Sequence, residues 1–227
     1  STHMDASAGS YSGDELETLL NRGVHATISR TPEVIGNTKI WHTKITGHEP
    51  YKLQPIHPNA SAEEVEQASK SSDPELREAA AGHQNANEDT LKRLSKDLSE
   101  NVRTGVASNK KTSSEMLHSM ATREMYTPEK ASSSVLKAIS KNSNTQAHTL
   151  HGIATNSWEG DHDVHRTIAQ NQNADDATLQ HIAHVTNSPN VLDSIAQHQN
   201  TSSDTLSHVY NNPNAHSGVK AVSYTHL

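Results

Sequence analysis

Histidine is the residue type with the most potential for site chemistry in this sequence, because it accounts for 17 of the 227 residues. Several histidines are spaced three residues apart, which brings two side chains together on one face of a helix. These pairs are His148 with His151, His162 with His165, and His181 with His184. Asp161 and Asp163 flank the middle pair with carboxylates. Neutral imidazole is a common ligand of zinc, copper and nickel, so these residues are candidate metal ligands.

A structural interpretation of the same histidines competes with metal binding. One pair flanks Leu150 and another flanks Ile182, so the imidazoles border an apolar stripe and are predicted to point outward. Polar residues on the solvent side of a helix need no ligand. We therefore predict no cofactor and no metal site, and we keep metal binding as an alternative. The candidate ligands for that alternative are Asp161, His162, His165, His181 and His184.

No reactive constellation points to an enzyme. The sequence has no nucleophile elbow, no Gly-rich phosphate loop and no His-Glu-x-x-His zinc motif. It has no cysteine, which excludes disulfides, cysteine-ligated zinc and iron–sulfur clusters and fits a reducing, cytoplasmic compartment. No stretch approaches the roughly 18 apolar residues of a membrane-spanning helix, so we predict no membrane partner. The predicted function is non-catalytic.

A second group of candidate residues is basic and lies mainly in the middle of the chain. Residues 73–141 carry 11 Lys+Arg against 10 Asp+Glu, whereas residues 142–227 carry 2 against 7. Phosphate contacts require Lys or Arg, so nucleic-acid binding through the middle segment is an alternative function. The competing interpretation is a solvated face with interspersed carboxylates. The predicted binding surface comprises Arg77, Lys92, Arg93, Arg103, Lys110, Lys111 and Trp158.

An internal repeat predicts the elements that position these residues. Only 31% of the residues are hydrophobic, 3% are aromatic and phenylalanine is absent, which leaves little for a compact globular core. Such a chain is either disordered or built from small stacked units. Periodicity favours stacked units, because apolar anchors recur at spacings of 26, 26, 33, 29 and 27 residues, each with an apolar residue three positions later. The anchors are Val65, Leu91, Leu117, Leu150, Leu179 and Leu206.

Each unit is predicted to contain two short helices. The first helix carries the anchor and follows Asp, Ser or Asn, which cap its free amides. The second helix carries the apolar pattern seen, for example, at residues 102–107. Two insertions lengthen the spacing between units, one around residues 125–130 and one around residues 158–161. Gln-Asn pairs such as Gln172-Asn173 are predicted to satisfy backbone groups at turns, with a ladder of ligand-binding amides as the alternative. Because isolated helices this short are marginal in water, neighbouring units must share a core.

The second-helix pattern resembles the repeat of the leucine-rich repeat variant family. Residues 102–109 read Val-Arg-x-x-Val-Ala-x-Asn, as in the family repeat, and Thr112 matches the threonine that follows in that repeat. The prolines of the family repeat are absent here. His165 stands before Arg166 in another copy, so that arginine is displaced by one position. The resemblance covers about residues 57–221 and implies a right-handed superhelical solenoid of alternating α-helices and 3₁₀-helices. Family members can carry a cysteine-rich iron–sulfur segment, which this cysteine-free chain lacks, and the family has no common catalytic residue.

The remaining segments complete the predicted organisation. Residues 1–4 resemble a cloning scar, and residues 222–227 resemble translated adapter DNA at the edge of a metagenomic fragment. Residues 5–56 combine a short helix at 14–20 with period-two segments at 24–28 and 39–45 around Gly36-Asn37, which predicts a small α+β cap or a partial separate domain. Residues 57–221 are predicted to form about six all-α units. We expect a non-catalytic scaffold whose partner is a protein or peptide.

Overall fold

The fold is described from a computed structural model, for residues 3–5, 24–28, 33–36, 38–48, 56–126, 132–157 and 161–219. The chain divides into two compact units, residues 1–55 and residues 56–227. The described strands belong to the first unit, and the described helices belong to the second. The second unit begins one residue before the predicted start of the repeats at residue 57.

An antiparallel sheet of four strands lies in the first unit: β1 (His3–Asp5), β2 (Val24–Ile28), β3 (Glu33–Ile35) and β4 (Thr38–His48). The long β4 pairs with all three other strands, and Trp41 lies opposite Met4. Gly36 has a φ of 65° in the turn between β3 and β4, a geometry that glycine adopts without steric cost. β2 and β4 coincide with the two period-two segments. The helix predicted at residues 14–20 lies outside the described residues.

Eleven helices make up the described part of the second unit, and they alternate between the first and the second helix of each repeat. The first helices are α1 (Ala62–Ala68), α3 (Glu88–Leu94), α5 (Ser114–Tyr126), α7 (Ala147–Asn156), α9 (Asp176–Val185) and α11 (Ser203–Asn211). The second helices are α2 (Pro74–Gly82), α4 (Glu100–Ser108), α6 (Ser133–Lys141), α8 (His162–Ala169) and α10 (Pro189–Ala196). The described residues of this unit are therefore all-α, as the periodicity predicts.

Short polar residues explain where the first helices begin. Ser61 and Glu64 form a capping box at α1: the N–H of Glu64 donates to Ser61 Oγ at 3.2 Å, and the N–H of Ser61 donates to Glu64 Oε2 at 2.7 Å. Asn87, Asp175 and Ser202 accept backbone N–H groups at the starts of α3, α9 and α11. Each cap satisfies an amide that has no partner inside the helix. The predicted capping is therefore confirmed at these helices.

The predicted anchors form the core of the second unit. Val65, Leu91, Leu117, Leu150 and Leu179 are fully buried, and Leu206 is 5% exposed. The apolar residues three positions later are also buried, except for Ala68, which is partly buried. Burying each such aliphatic side chain stabilises the fold by about 1.5–3 kcal/mol. The helical stripe predicted from the spacing is confirmed.

Equivalent helices of successive repeats pack against one another. The second helices α2, α4, α6, α8 and α10 contact in series, and so do the first helices α5, α7, α9 and α11. A hydrogen bond from Thr90 to Glu66 joins α3 to α1. Between α2 and α4 the approach is close, because a Cβ on Gly105 would lie 3.0 Å from Ala81 Cβ and 3.3 Å from the carbonyl oxygen of Glu78. The described helices therefore form two layers.

The second helices are α-helices, and the 3₁₀ geometry that the family resemblance implies is wrong for them. The N–H of Arg103 donates to the carbonyl of Ser99 at 3.2 Å, and the N–H of Leu136 donates to the carbonyl of Ser132 at 3.0 Å. These bonds reach four residues back, which is the α pattern. Of the two predicted insertions, the first lengthens α5 to 13 residues. Residues 127–131 and 158–160 lie outside the described part of the chain.

Candidate binding surface on the first helices

Histidines of neighbouring repeats come together on the layer of first helices. We call this set the histidine row, and it consists of His118, His148, His151, His181, His184 and His208. The ring centroids are 4.8 Å apart for His118 and His148, 6.4 Å for His151 and His181, and 3.8 Å for His184 and His208. Each pair joins two consecutive first helices. The row therefore crosses three successive repeat junctions, from α5 to α11.

Threonines of the next repeat orient two rings of the histidine row. His118 Nδ1 lies 3.0 Å from Thr149 Oγ1, and His151 Nδ1 lies 3.2 Å from Thr178 Oγ1. Both threonines directly precede an apolar anchor and are buried, so their hydroxyls are fixed in place. Within the described residues, the Nε2 atoms of His118 and His151 make no hydrogen bond. These ring nitrogens are left for another molecule or for water.

An open groove of about 610 Å³ lies along the histidine row between α7 and α9. Its lining residues are Gln146, Ala147, His148, His151, Asp175 and Ala177. Hydrogen bonds from the hydroxyl and the N–H of Thr178 lower the pKa of Asp175, so this carboxylate is ionised at neutral pH. The groove combines imidazoles, one carboxylate and two alanine methyl groups. Such a lining suits a polar segment that both donates and accepts hydrogen bonds.

The last pair of the histidine row is stacked face to face. The ring planes of His184 and His208 differ by 21°, and His184 Nδ1 lies 2.7 Å from the carbonyl oxygen of Gln180. Partial burial lowers the pKa of His208, and the neighbouring His184 lowers it further. His208 is therefore neutral at physiological pH, which removes charge repulsion between the stacked rings.

The candidate metal ligands are divided between the two layers of helices. His162 and His165 lie on α8, and His181 and His184 lie on α9. The carboxylate of Asp161 caps α8, since it accepts the N–H of Val164 at 3.3 Å and the hydroxyl of Ser133 at 2.6 Å. In the part of the chain that the structure describes, no three His, Asp or Glu side chains are grouped so that they can hold a metal ion.

Two arginines of the predicted binding surface are used inside the fold. Arg103 is 5% exposed and donates to the carboxylate of Glu124 at 2.7 and 3.3 Å, and to the carbonyls of Asp97 and Leu98. Arg77 donates to the carboxylate of Asp97 at 2.7 and 3.0 Å. Each guanidinium ties a second helix to the following repeat. These side chains are therefore structural, and their expected role in ligand contact is corrected.

Arg93, a third arginine of the predicted surface, also bonds to a carboxylate. Its guanidinium lies 3.0 Å from Glu66 Oε2, and the pair joins α3 to α1. Hydrogen bonds from Arg93, Thr90 and Lys70, in that order of importance, lower the pKa of Glu66 to about 2. The Arg93 side chain is 42% exposed, so it keeps a face toward solvent.

The lysines of the predicted surface remain accessible. Lys92, Lys110 and Lys111 are exposed and form no ion pair within the described residues. Lys110 lines a groove of about 290 Å³ together with Lys141, at the C-terminal ends of α4 and α6. Trp158 lies outside the described residues.

The repeat junctions contain an asparagine ladder, which consists of Asn109, Asn142 and Asn171. The amide of Asn142 donates to the carbonyls of Ala107 and Asn109 at 2.8 and 3.0 Å, and its oxygen accepts the N–H of Asn144 at 2.9 Å. His198 takes the same position one repeat after Asn171, with Nε2 2.9 Å from the Asn171 carbonyl oxygen. Each member bonds the repeat before it.

Sequence reasoning missed this ladder but identified the residue two positions later. Asn173 donates to the carbonyls of Ser143 and Thr145 at 2.8 and 2.9 Å, and Asn85 and Asn200 also donate to the preceding repeat. The prediction that the Gln-Asn pairs satisfy backbone groups is confirmed for these asparagines. The residue type at this position could have revealed the ladder. In the described repeats the position holds Asn or His, and each of these side chains carries both a hydrogen-bond donor and an acceptor.

The fold and the surface together define a class: an all-α unit of paired helices with a histidine-lined face on its first helices. Comparisons with models of protein families, with curated proteins and with solved structures gave no match. Among the described residues, no helix is both long and apolar enough to cross a membrane.

Proposed function

We propose that the chain is a non-catalytic binding module that holds a protein or peptide segment along the histidine row. Its partner is a polar segment, since the row offers ring nitrogens and π faces and the groove between α7 and α9 contains one carboxylate. We propose in addition that the stacked repeats form a right-handed superhelical solenoid related to the leucine-rich repeat variant family but with α-helices at both positions of each repeat, and that the N-terminal unit is its cap. The expected location of the protein is the cytoplasm.

The observation that carries this proposal is the contrast between used and unused polar groups. The asparagine ladder, the capping residues and the buried arginines are occupied by contacts between repeats. The histidine row, by comparison, keeps ring nitrogens of His118 and His151 without a hydrogen bond in the described structure, and His148 and His151 line an open groove. Recurring polar groups that the fold does not need are the groups that a repeat protein uses for recognition.

A peptide-selection experiment tests the proposed surface. Peptides selected from a displayed random library on the folded chain are measured against a row variant, His148→Ala/His151→Ala/His181→Ala, by isothermal calorimetry. We expect the row variant to bind about tenfold more weakly or worse, as the loss of about 1.4 kcal/mol requires. His162→Ala, an exposed histidine of the other layer, is the control and should leave affinity unchanged. Selected peptides that bind the row variant with full affinity would contradict the proposal.

Nucleic-acid binding is the second candidate, and the groove with Lys110 and Lys141 is the observation that favours it. Two lysines without ion pairs in the described structure can approach a phosphate backbone. Under this alternative, a gel-shift assay should show retardation that weakens steeply between two salt concentrations and is reduced by Lys110→Ala/Lys141→Ala. No retardation at low salt removes this candidate.

A further inference from the structure

One position of the second helices carries a different kind of side chain from repeat to repeat. It lies four residues after the capping residue and holds Arg77, Arg103, Leu136, His165 and Leu192 in turn. The two arginines are charged at every physiological pH and are paired with carboxylates. The two leucines are buried and carry no charge. His165 is therefore the single member of this set that changes charge near neutrality.

The site of His165 accommodates a neutral ring. The side chain is fully buried, and its Nε2 lies 2.8 Å from Ser157 Oγ, whose hydroxyl lies 3.1 Å from the carbonyl oxygen of Ala154. A proton on Nε2 donates to Ser157, which in turn donates to Ala154. The Nδ1 atom is buried and has no hydrogen-bond partner among the described residues. Protonation of Nδ1 would create a buried donor and a buried charge with no acceptor.

The charged and titratable groups around His165 do not compensate that proton. On its own helix α8, the Asp161 carboxylate is engaged by Val164 and Ser133, and Asp163 is paired with Lys137 of α6 and with Arg166. The other helices that contact α8 carry Lys141 on α6, His148 and His151 on α7, and Asp193 on α10, and the nearby α9 carries Asp176, His181 and His184. Burial is the largest influence and lowers the pKa of His165. Asp161 and a hydrogen bond to the backbone of Ala154 oppose it without cancelling it, while His162 and His181 add to the lowering.

We propose that His165 is an acid-sensitive lock on the joint between α7 and α8. At neutral pH the uncharged ring fills the site and holds Ser157, the residue that ends α7. In acid the imidazolium leaves the site for solvent, and the joint opens. The repeats before α7 lack such a group at this position, since they carry paired arginines or leucine. Acid therefore loosens α7 and α8 and spares α2 and α4. This regulation goes beyond the proposed binding function and does not depend on it.

The direction of the pH dependence follows from linkage. The folded state binds the His165 proton more weakly than the unfolded state, whose histidines titrate near pH 6.5. Above that pH neither state is protonated, and His165 contributes no pH dependence. As the pH falls below about 6.5, the unfolded state gains a proton that the folded state does not accept, so local stability falls.

Hydrogen exchange on the full chain tests the lock. Protection of residues 147–169 is compared with that of residues 74–108 at pH 7.5 and 5.5, after correction for intrinsic exchange rates. We expect residues 147–169 to lose protection by up to about tenfold relative to residues 74–108, because a histidine that titrates near 6.5 in the unfolded state is protonated at pH 5.5 while the folded site excludes the proton. His165→Leu, which takes the residue of α6 and α10, should abolish this loss. His162→Gln on the same helix is the matched control: it removes only one of the smaller influences on the His165 pKa and should keep most of the acid response.

Two further measurements distinguish His165 from the other histidines of the chain. His208→Gln removes the other histidine with a lowered pKa among the described residues, and the acid response of residues 147–169 should persist in it. If His165→Leu does not fold, the NMR titration of the His165 ring in the unmodified chain tests the proposal instead. The expected pKa of this ring is below 6.5. An unchanged acid response in His165→Leu, or a His165 ring that titrates at or above 6.5, overturns the proposal.

Discussion

Asparagine side chains hold successive repeats together at the residue scale. The amide nitrogen of each ladder asparagine reaches two carbonyl groups of the repeat before it, and the amide oxygen accepts a backbone N–H two residues later. The carbonyls lie at the ends of second helices and in the turns after them, where regular helical bonding stops. One planar side chain thus satisfies three backbone groups, which explains why the position accepts few residue types.

Removal of one ladder side chain should weaken the stack. Asn171→Ala leaves the carbonyls of Ser140 and Asn142 without their donor and should lower the free energy of unfolding by about 1–3 kcal/mol in urea denaturation. Asn171→His should lose less, since histidine holds this position in other repeats. Asn101→Ala, at an exposed position of α4, serves as the control and should be nearly neutral. Equal stability of Asn171→Ala and Asn101→Ala would refute the structural role of the ladder.

At the element scale, a small side chain at the contact between two helices allows the helices to pack closely. Gly105 in the middle of α4 faces Ala81 Cβ and the carbonyl of Glu78 on α2, and a methyl group there would push these atoms apart by a few tenths of an ångström. Gly152 in α7 has a looser surrounding, because a Cβ there would meet only Met125 Cε at 3.8 Å. Substitution of these two glycines therefore distinguishes the effect of helix propensity on stability from the effect of packing.

Alanine substitution at these two glycines should have opposite effects. Gly105→Ala should destabilise the chain by about 1–3 kcal/mol, since overpacking outweighs the gain of about 1 kcal/mol in helix propensity. Gly152→Ala keeps that gain without the clash and should be neutral or stabilising by up to about 1 kcal/mol. Thermal and urea unfolding of both variants measure the difference. A stabilised Gly105→Ala would show that α2 and α4 separate at little cost.

The sequence predicts elements and core better than contacts between repeats. Spacing alone identified the paired helices and anchors such as Leu117 and Leu179, because the buried residues of an α-helix recur with the period of the helix. The histidine pairs were expected within a helix, whereas the structure pairs histidines across neighbouring helices. That relation depends on how far one repeat is displaced from the next, and no local pattern encodes it. The buried state of Arg103 was missed for the same reason, since its partner Glu124 is 21 residues away.

At the scale of the whole second unit, the second helices pack mainly against one another across adjacent repeats, whereas α1 packs against α2 of its own repeat. Stability in such a stack is close to a sum of repeat terms and interface terms. Removal of an end repeat then weakens the next one most, and the effect decays with distance.

A shortened chain tests this additive behaviour. A chain that ends at residue 201 lacks α11, and we expect it to remain folded. Hydrogen-exchange protection should fall in α9 and α10, which contact α11, and stay nearly unchanged in α2 and α4. The melting temperature should drop by about 2–4 °C for each kcal/mol lost. Uniform loss of protection along the chain would indicate a single cooperative core instead.

The backward orientation of the ladder gives the repeat array a polarity. Trimming from the C-terminal side takes away donors and leaves spare carbonyl oxygens, which proteins tolerate comparatively well. Trimming from the opposite side strips acceptors, so that Asn109, for instance, would keep amide hydrogens with nothing to receive them once Ala81 and His83 are gone. Assembly during synthesis follows the same asymmetry: an emerging module brings the groups that fasten it to a module already made.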